Sequence, residues 1–263
     1  LSGSSRVPRG YRSGAGCTDT GYSAFSNVGV RSCYEPVLLS NLPLEGGTYM
    51  AAYQALYRKY RPQTFDDVVG QMSVTQTLKT QLQSGRLSHA YLFTGSRGTG
   101  KTSSAKILAK AVNCENPQNG NPCNVCEACR SIDAGVATDV IEMDAASNNG
   151  VDHVRSLREE AVYSPANAKY RVYIIDEVHM LTDSAFNALL KTLEEPPEYI
   201  VFILATTELN ELPPTIISRC IRFDFSRIDE EAVKARLEFV AEQENIRLGE
   251  GVASLLAKLA DGS

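Results

Sequence analysis

Residues 90–102 read Ala90-Tyr91-Leu92-Phe93-Thr94-Gly95-Ser96-Arg97-Gly98-Thr99-Gly100-Lys101-Thr102. A short apolar run, 90–93, passes at once into a glycine-rich turn. Helical spacing follows over 102–112, with Ile107, Leu108 and Val112 on one side. Strand, glycine-rich turn and helix are the context in which GxxxxGK[ST] forms a phosphate loop. The glycines let backbone N–H groups turn inward around phosphate oxygens, and the helix N-terminus adds partial positive charge. Lys101 is placed to reach the β- and γ-phosphates, and the Thr102 hydroxyl to ligate Mg²⁺. Gly95, Ser96, Arg97, Gly98, Thr99, Gly100, Lys101, Thr102 and Ser103 are therefore the candidate nucleotide-binding residues.

Outward from this loop the chain alternates. Residues 139–143, 171–175, 199–205 and 221–223 read as further strands, and 171–175 is continuously apolar, as for a strand buried on both faces. Residues 66–84, 151–162 and 182–195 read as helices, the last stopped by Pro196-Pro197, and Pro213-Pro214 opens a short one. Such alternation predicts an α/β fold, a parallel five-stranded sheet with helices on both faces. After Arg227 the pattern is purely helical, over 230–244 and 252–259, and it stops at Asp261-Gly262-Ser263. Residues 1–49 are rich in Ser and Gly and lack sustained periodicity, so they read as a disordered or non-native extension before Met50. The expected organisation is an extension at 1–49, a nucleotide-binding domain at 50–226 with a cysteine module at about 114–130, and the start of a small helical lid domain at 227–263.

Three further constellations carry chemistry. Asp176 and Glu177 end the 171–175 strand, at the edge where doubly wound sheets bind ligands. There Asp176 would hold Mg²⁺ and Glu177 would polarise an attacking water. Cys114, Cys123, Cys126 and Cys129 have the spacing C-x8-C-x2-C-x2-C, which suits one tetrahedral Zn²⁺. A ferredoxin-type iron–sulfur cluster needs a fourth cysteine four residues after the third, followed by Pro, and that is absent. Four thiolates leave no open coordination position, so this zinc is expected to staple a loop and perform no chemistry. Cys17, Cys33 and Cys220 read as free thiols. Finally, Thr206-Thr207 ends the 199–205 strand, where a hydroxyl can meet a γ-phosphate or its attacking water, and Arg219 follows a short helix.

The net charge of −5 leaves no global electrostatic footprint for nucleic acid, so any DNA contact must be local or shared with other subunits. No run of about 18 apolar residues occurs, so no membrane span is expected. Thiols at metal-ligand spacing point to a reducing cytoplasm.

Together these residues resemble the AAA+ family, and within it the N-terminal part of the gamma/tau family of bacterial DNA polymerase III clamp-loader subunits. Residues 57–65, Tyr-Arg-Lys-Tyr-Arg-Pro-Gln-Thr-Phe, followed by Val68-Val69-Gly70-Gln71, match the opening box of that family, which borders the nucleotide base. The loop 95–102, the cysteine module, Asp144-Ala145-Ala146-Ser147, 176–180, 189–197 and Ser218-Arg219-Cys220 match as well. The resemblance implies ATP and Mg²⁺ binding with Tyr57 and Arg61 at the nucleotide. It implies Lys101, Glu177, Thr207 (the first sensor position) and Arg219 (a finger acting on a neighbouring subunit) as the catalytic set. It also implies an ATPase within a DNA-directed DNA polymerase holoenzyme, acting with other loader subunits, a sliding clamp and primed DNA. The family's second sensor arginine lies beyond Ser263. Two rival expectations are another AAA+ motor, such as a branch-migration helicase, which the cysteine module disfavours, and a scaffold that holds ATP without turnover, which Lys101, Thr102, Asp176 and Glu177 disfavour. A zinc-finger DNA binder fits poorly, because the chain is acidic and Arg130 is the only basic residue within 114–130.

Overall fold

The computed structural model describes residues 54–263, so the expectations for residues 1–49, the start at Met50, and Cys17 and Cys33 lie outside it. Helix α1 (Leu56–Lys59) and a 3₁₀ turn (Phe65–Asp67) lead into α2 (Met72–Ser84) and strand β1 (Ala90–Thr94). The chain continues through α3 (Lys101–Asn113), α4 (Glu127–Asp133), β2 (Val140–Asp144), α5 (Val151–Glu160), β3 (Arg171–Asp176), α6 (Asp183–Glu194) and β4 (Ile200–Thr206). It ends with α7 (Pro214–Ile217), β5 (Ile221–Asp224), α8 (Glu230–Gln243) and α9 (Val252–Leu259).

The five strands form one parallel sheet in the order β2-β3-β4-β1-β5. Because side chains alternate along a strand, the central strands β1, β3 and β4 each feed two cores. Leu92, Tyr173, Ile175, Phe202 and Leu204 face α5, α6 and α7, where Tyr173 and Phe202 stack with ring centroids 5.2 Å apart. Tyr91, Phe93, Val172, Ile174, Val201 and Ile203 face the opposite layer, with Phe65, Leu78, Ile107 and Leu108 from the 3₁₀ turn, α2 and α3. The predicted parallel sheet covered on both faces is what folds. Truncating a residue such as Phe202, 2% exposed, to alanine would cost about 3–5 kcal/mol.

Local chemistry explains the element ends. Thr182 caps α6, its hydroxyl accepting from Ala185 N at 3.3 Å, and Pro196-Pro197 follows the helix. Two elements depart from the sequence expectation. The helical reading over 66–84 splits: 65–67 form a 3₁₀ turn closed by Asp67 Oδ2 on the Thr64 amide and hydroxyl, at 2.9 and 2.8 Å, and the helix proper begins at Met72. Helix α4 lies inside the cysteine module, where no helix was expected, because four cysteines masked a helical period only seven residues long.

Helices α8 and α9 pack on one another. Helix α8 is tied to the segment around α1: Lys59 Nζ and Tyr60 Oη both donate to Glu244 at 2.6 Å, Arg236 donates to the Tyr60 carbonyl at 2.9 Å, and Tyr60 meets Phe239 edge-on. Helix α9 leaves Leu255, Leu256 and Leu259 exposed. No described helix is long and apolar enough to cross a membrane.

Candidate active site and metal centre

The strand order decides the site. Strand β4 lies between β1 and β3, and Thr94 is in register with Thr206 while Ile175 is in register with Leu204. The carboxyl ends of all three strands therefore meet at one edge, the edge at which sheets of this kind bind ligands. Strand β1 delivers the phosphate loop to that edge, β3 delivers Asp176 and Glu177, and β4 delivers Thr206 and Thr207 between them.

The loop is shaped by its glycines. Gly95 has φ +142°, and a Cβ there would collide with the Phe225 carbonyl, so only glycine lets the loop turn this tightly. Lys101, 5% exposed, sits at the first position of α3, and its ammonium donates to the Gly95 and Ser96 carbonyls, 2.8 Å each. Burial lowers its pKa, and Glu177 and Asp176 oppose that shift. Thr102 Oγ1 donates to Asp176 Oδ2 at 2.6 Å, so the two predicted Mg²⁺ ligands meet across 74 residues of sequence. A hydroxyl and a carboxylate are hard oxygen donors of the kind Mg²⁺ takes, and the pair fits that ion.

Glu177 takes a left-handed backbone, φ 47°, and its carboxylate accepts from the Thr207 amide at 3.2 Å and from the Thr207 hydroxyl at 3.0 Å. The neighbouring Thr206 is fully buried and binds His179 Nδ1 at 3.0 Å. Of the two threonines, Thr207 is thus the one that faces the acid. Neither His179 nor this role for Thr206 was expected, since one histidine after an acidic pair carries no signal until the strands are aligned.

Beside Gly98, Thr99, Gly100 and Ser103 lies a cavity of about 280 Å³, walled by Pro62, Asp67, Val68 and Val69 on one side and by Ile228, Val233, Arg236 and Leu237 on the other. The opening box thus reaches the phosphate loop through its second half. Tyr57, 69% exposed, and Arg61 are not brought into these walls; Tyr57 instead receives a hydrogen bond from Arg58. The α8 wall residues were visible in sequence only as an apolar helix face. Arg97 is exposed on the loop.

Arg219 lies apart from this cluster. It donates to the Thr215 carbonyl at 2.7 Å and to Glu194 at 2.6 Å, and to no phosphate-loop residue. Cys220 is a free thiol, and burial pushes its pKa up to about 12.

The sulfurs of Cys114, Cys123, Cys126 and Cys129 all lie within 4.8 Å of one another. A tetrahedral ion with Zn–S bonds of about 2.3 Å needs sulfurs about 3.8 Å apart, so the cluster fits zinc. Backbone N–H groups support it: Cys123 N donates to Cys114 Sγ at 3.2 Å, and Cys126 N to Cys123 Sγ at 3.3 Å. Backbone donors, Val125 N first, bring Cys123 down to about 6, whereas burial raises Cys114 and Cys129.

The fold is that of a P-loop protein of the AAA+ type. The Thermotoga maritima RuvB Holliday junction branch migration motor shares the fold, with a TM-score of 0.55 over 78% of this chain and 61% of that one, at 19% identity. Residues 70–229 match the family model described as DNA polymerase III, delta subunit, and the chain belongs to that family. Among its relatives, the Bacillus subtilis (strain 168) DNA polymerase III subunit tau is 57% identical over 211 residues, 80% of this chain. The Escherichia coli (strain K12) subunit tau is 50% identical over 212 residues, 81% of this chain. The chain spans 38% and 33% of the length of these two relatives.

Proposed function

We propose that this chain is an ATP-hydrolysing motor subunit of a DNA polymerase III clamp loader. It works with other loader subunits, several copies of itself among them, to place a sliding clamp on primed DNA in the bacterial cytoplasm. The observation that carries the reading is the meeting of Lys101, Thr102, Asp176, Glu177 and Thr207 at one sheet edge, in a chain whose relatives are tau subunits.

The reaction is in-line attack of water on the γ-phosphate, and catalysis rests on positioning and charge stabilisation. The loop amides and Lys101 orient the triphosphate, and the cavity between Val68 and Leu237 takes the adenine. Thr102 and Asp176 hold Mg²⁺, which when bound neutralises charge on the phosphate oxygens. Glu177 orients and polarises the water, and Thr207 reports the γ-phosphate to it. Arg219 serves the site of a neighbouring subunit, in keeping with its hydrogen bonds going to Thr215 and Glu194 and none to its own chain's loop. The cysteines hold Zn²⁺ as a structural staple. Residues 50–226 form the nucleotide-binding domain, and 227–263 begin a helical lid whose α8 closes the adenine cavity.

The test is ATP hydrolysis by this protein mixed with candidate loader subunits, with and without sliding clamp and primed DNA, using Lys101→Ala as a blank. Strong stimulation by clamp plus primed DNA, lost in the blank, is the expected result. Turnover indifferent to the clamp would point to another AAA+ motor, and no turnover to a scaffold.

A further inference from the structure

The cysteine module does more than close on itself: it grips the segment that leads into the cavity wall. Between Cys114 and Cys123 a tight turn, Gln118–Asn121, is pinned by paired backbone hydrogen bonds of 2.9 and 2.8 Å, with Asn119 and Gly120 both at positive φ. Gly120 abuts α2 so closely that a Cβ would lie 2.8 Å from Lys79 Cα, which fixes the turn against the domain. The turn presents Asn121, 9% exposed. Its amide oxygen accepts from Phe65 N at 2.9 Å, and its amide nitrogen donates to Asp66 Oδ2 at 2.6 Å.

A second grip comes from Asn124, between two of the cysteines and at φ 58°. It donates to the Gln63 carbonyl at 3.3 Å and accepts from Lys110 Nζ at 2.8 Å. Lys110 is 2% exposed and stands on α3, the helix that follows the phosphate loop. An ammonium has three donors, and this one spends them on Asn124, on Gln63 Oε1 at 2.6 Å and on Asp133 at 3.0 Å. A buried cation so completely satisfied is held in one place.

Residues 63–66 are thereby clamped between the metal loop and the phosphate-loop helix. They run directly into Asp67, Val68 and Val69, the wall of the cavity, and Asp67 locks back on the Thr64 and Gln63 amides at 2.9 and 3.3 Å.

We infer that the four-cysteine module is a positioning element for the nucleotide: Asn121 and Asn124 and, through Asn124, Lys110 hold the 63–69 segment so that its wall meets the base of bound ATP. This rests on the reading of the cavity as the adenine site. A wall of the base pocket gives affinity to ATP but none to an inorganic triphosphate, which meets only the loop. The module's contribution is therefore selective for the nucleoside.

Binding of MgATP and of magnesium tripolyphosphate to the intact chain, by calorimetry, tests this in Asn124→Gly, which preserves the positive φ, and in Asn121→Ala. Zinc content and the thermal transition are followed in parallel. Each variant is expected to bind ATP about tenfold more weakly while binding tripolyphosphate as the unaltered protein does. Removing the metal with a chelator is expected to produce the same selective loss, reversed by Zn²⁺. Unchanged ATP affinity in both variants, or after metal removal, overturns the inference and leaves the site reading standing. Equal weakening of both ligands also overturns it, because the module then only supports the fold. If the unaltered chain binds ATP no more tightly than tripolyphosphate, the cavity is not a base site, and that reading falls together with the inference.

Discussion

The carboxylate of Glu177 is held by Thr207 through two hydrogen bonds, one from its amide and one from its hydroxyl, at 3.2 and 3.0 Å. The proposed water-polarising group and the proposed phosphate sensor are thus in direct contact, although 30 residues separate them in sequence. A hydroxyl that binds Glu177 in one state and a phosphate oxygen in another would tie the orientation of the acid to the nucleotide.

Thr207→Val keeps the shape and the backbone donor but deletes the hydroxyl. ATP affinity is expected to stay within about threefold, while turnover in the assembled loader falls about a hundredfold, the scale of a misplaced catalytic group. Glu177→Gln is expected to do the same and more strongly, and parallel binding and steady-state assays separate the two effects. A large loss of affinity in either variant would contradict these roles.

Lys101 is nearly enclosed, and both of its partners are loop carbonyls. Lys101→Ala is expected to weaken MgATP binding by about a hundredfold, since a charge-assisted contact to phosphate contributes about 1.5–3 kcal/mol. Direct calorimetric titration reads this without any need for turnover.

Arg219 pairs with Glu194 with both side chains partly exposed, so its own stabilising contribution is about 0–1 kcal/mol. Arg219→Ala is therefore expected to leave the melting temperature and ATP binding nearly unchanged, yet to lower turnover of the assembled complex by about 10³–10⁵. Mixing experiments, with the variant in one subunit and an intact site in its neighbour, check the action in trans.

One Zn²⁺ per chain is expected from elemental analysis, and none in Cys129→Ser, whose thiol is fully buried in the cluster. The free energy of such a structural ion is folding free energy, so the metal-free module is expected to lose protease resistance across residues 114–133.

Asp139 is 3% exposed and pairs with Arg171 at 3.2 Å. Burial alone would raise its pKa, but the amides of Asn167, Ala166 and Ala168 and the Arg171 guanidinium outweigh it and leave it below the ordinary value. A carboxyl depressed on folding stabilises fully above its unfolded pKa, about 3.9, and loses that contribution as pH falls through the lower folded value. Asp139→Asn is therefore expected to cost about 3 kcal/mol at pH 7, by chemical denaturation. The gap to the unaltered chain should narrow as pH drops below about 4.

Much of this was legible along the chain, because the signals are local. An apolar run followed by glycines and Lys101 specifies strand, loop and helix through backbone sterics and hydrogen bonding within about a dozen residues. Uninterrupted apolar strands alternating with helices specify a parallel sheet, since such strands must be covered on both faces. Four cysteines within 16 residues mark a candidate metal loop by ligand chemistry alone. Where the sequence read poorly, the controlling contacts were distant. The split of 66–84 follows from Asp67 turning back on Thr64, and α4 was hidden because it is only seven residues long.

The tertiary structure alone decided which residues meet. Strand order places β4 between β1 and β3, which brings Thr207 to Glu177 and Thr102 to Asp176, while the packing of α6 against α7 leaves Arg219 with Glu194. The same holds for Asn121, Asn124 and Lys110 around residues 63–66. Local sequence fixes dihedrals and periodicity. Contacts across 25 to 74 residues depend on how whole elements pack, because only burial of the two faces of the sheet chooses among the many ways to order the strands.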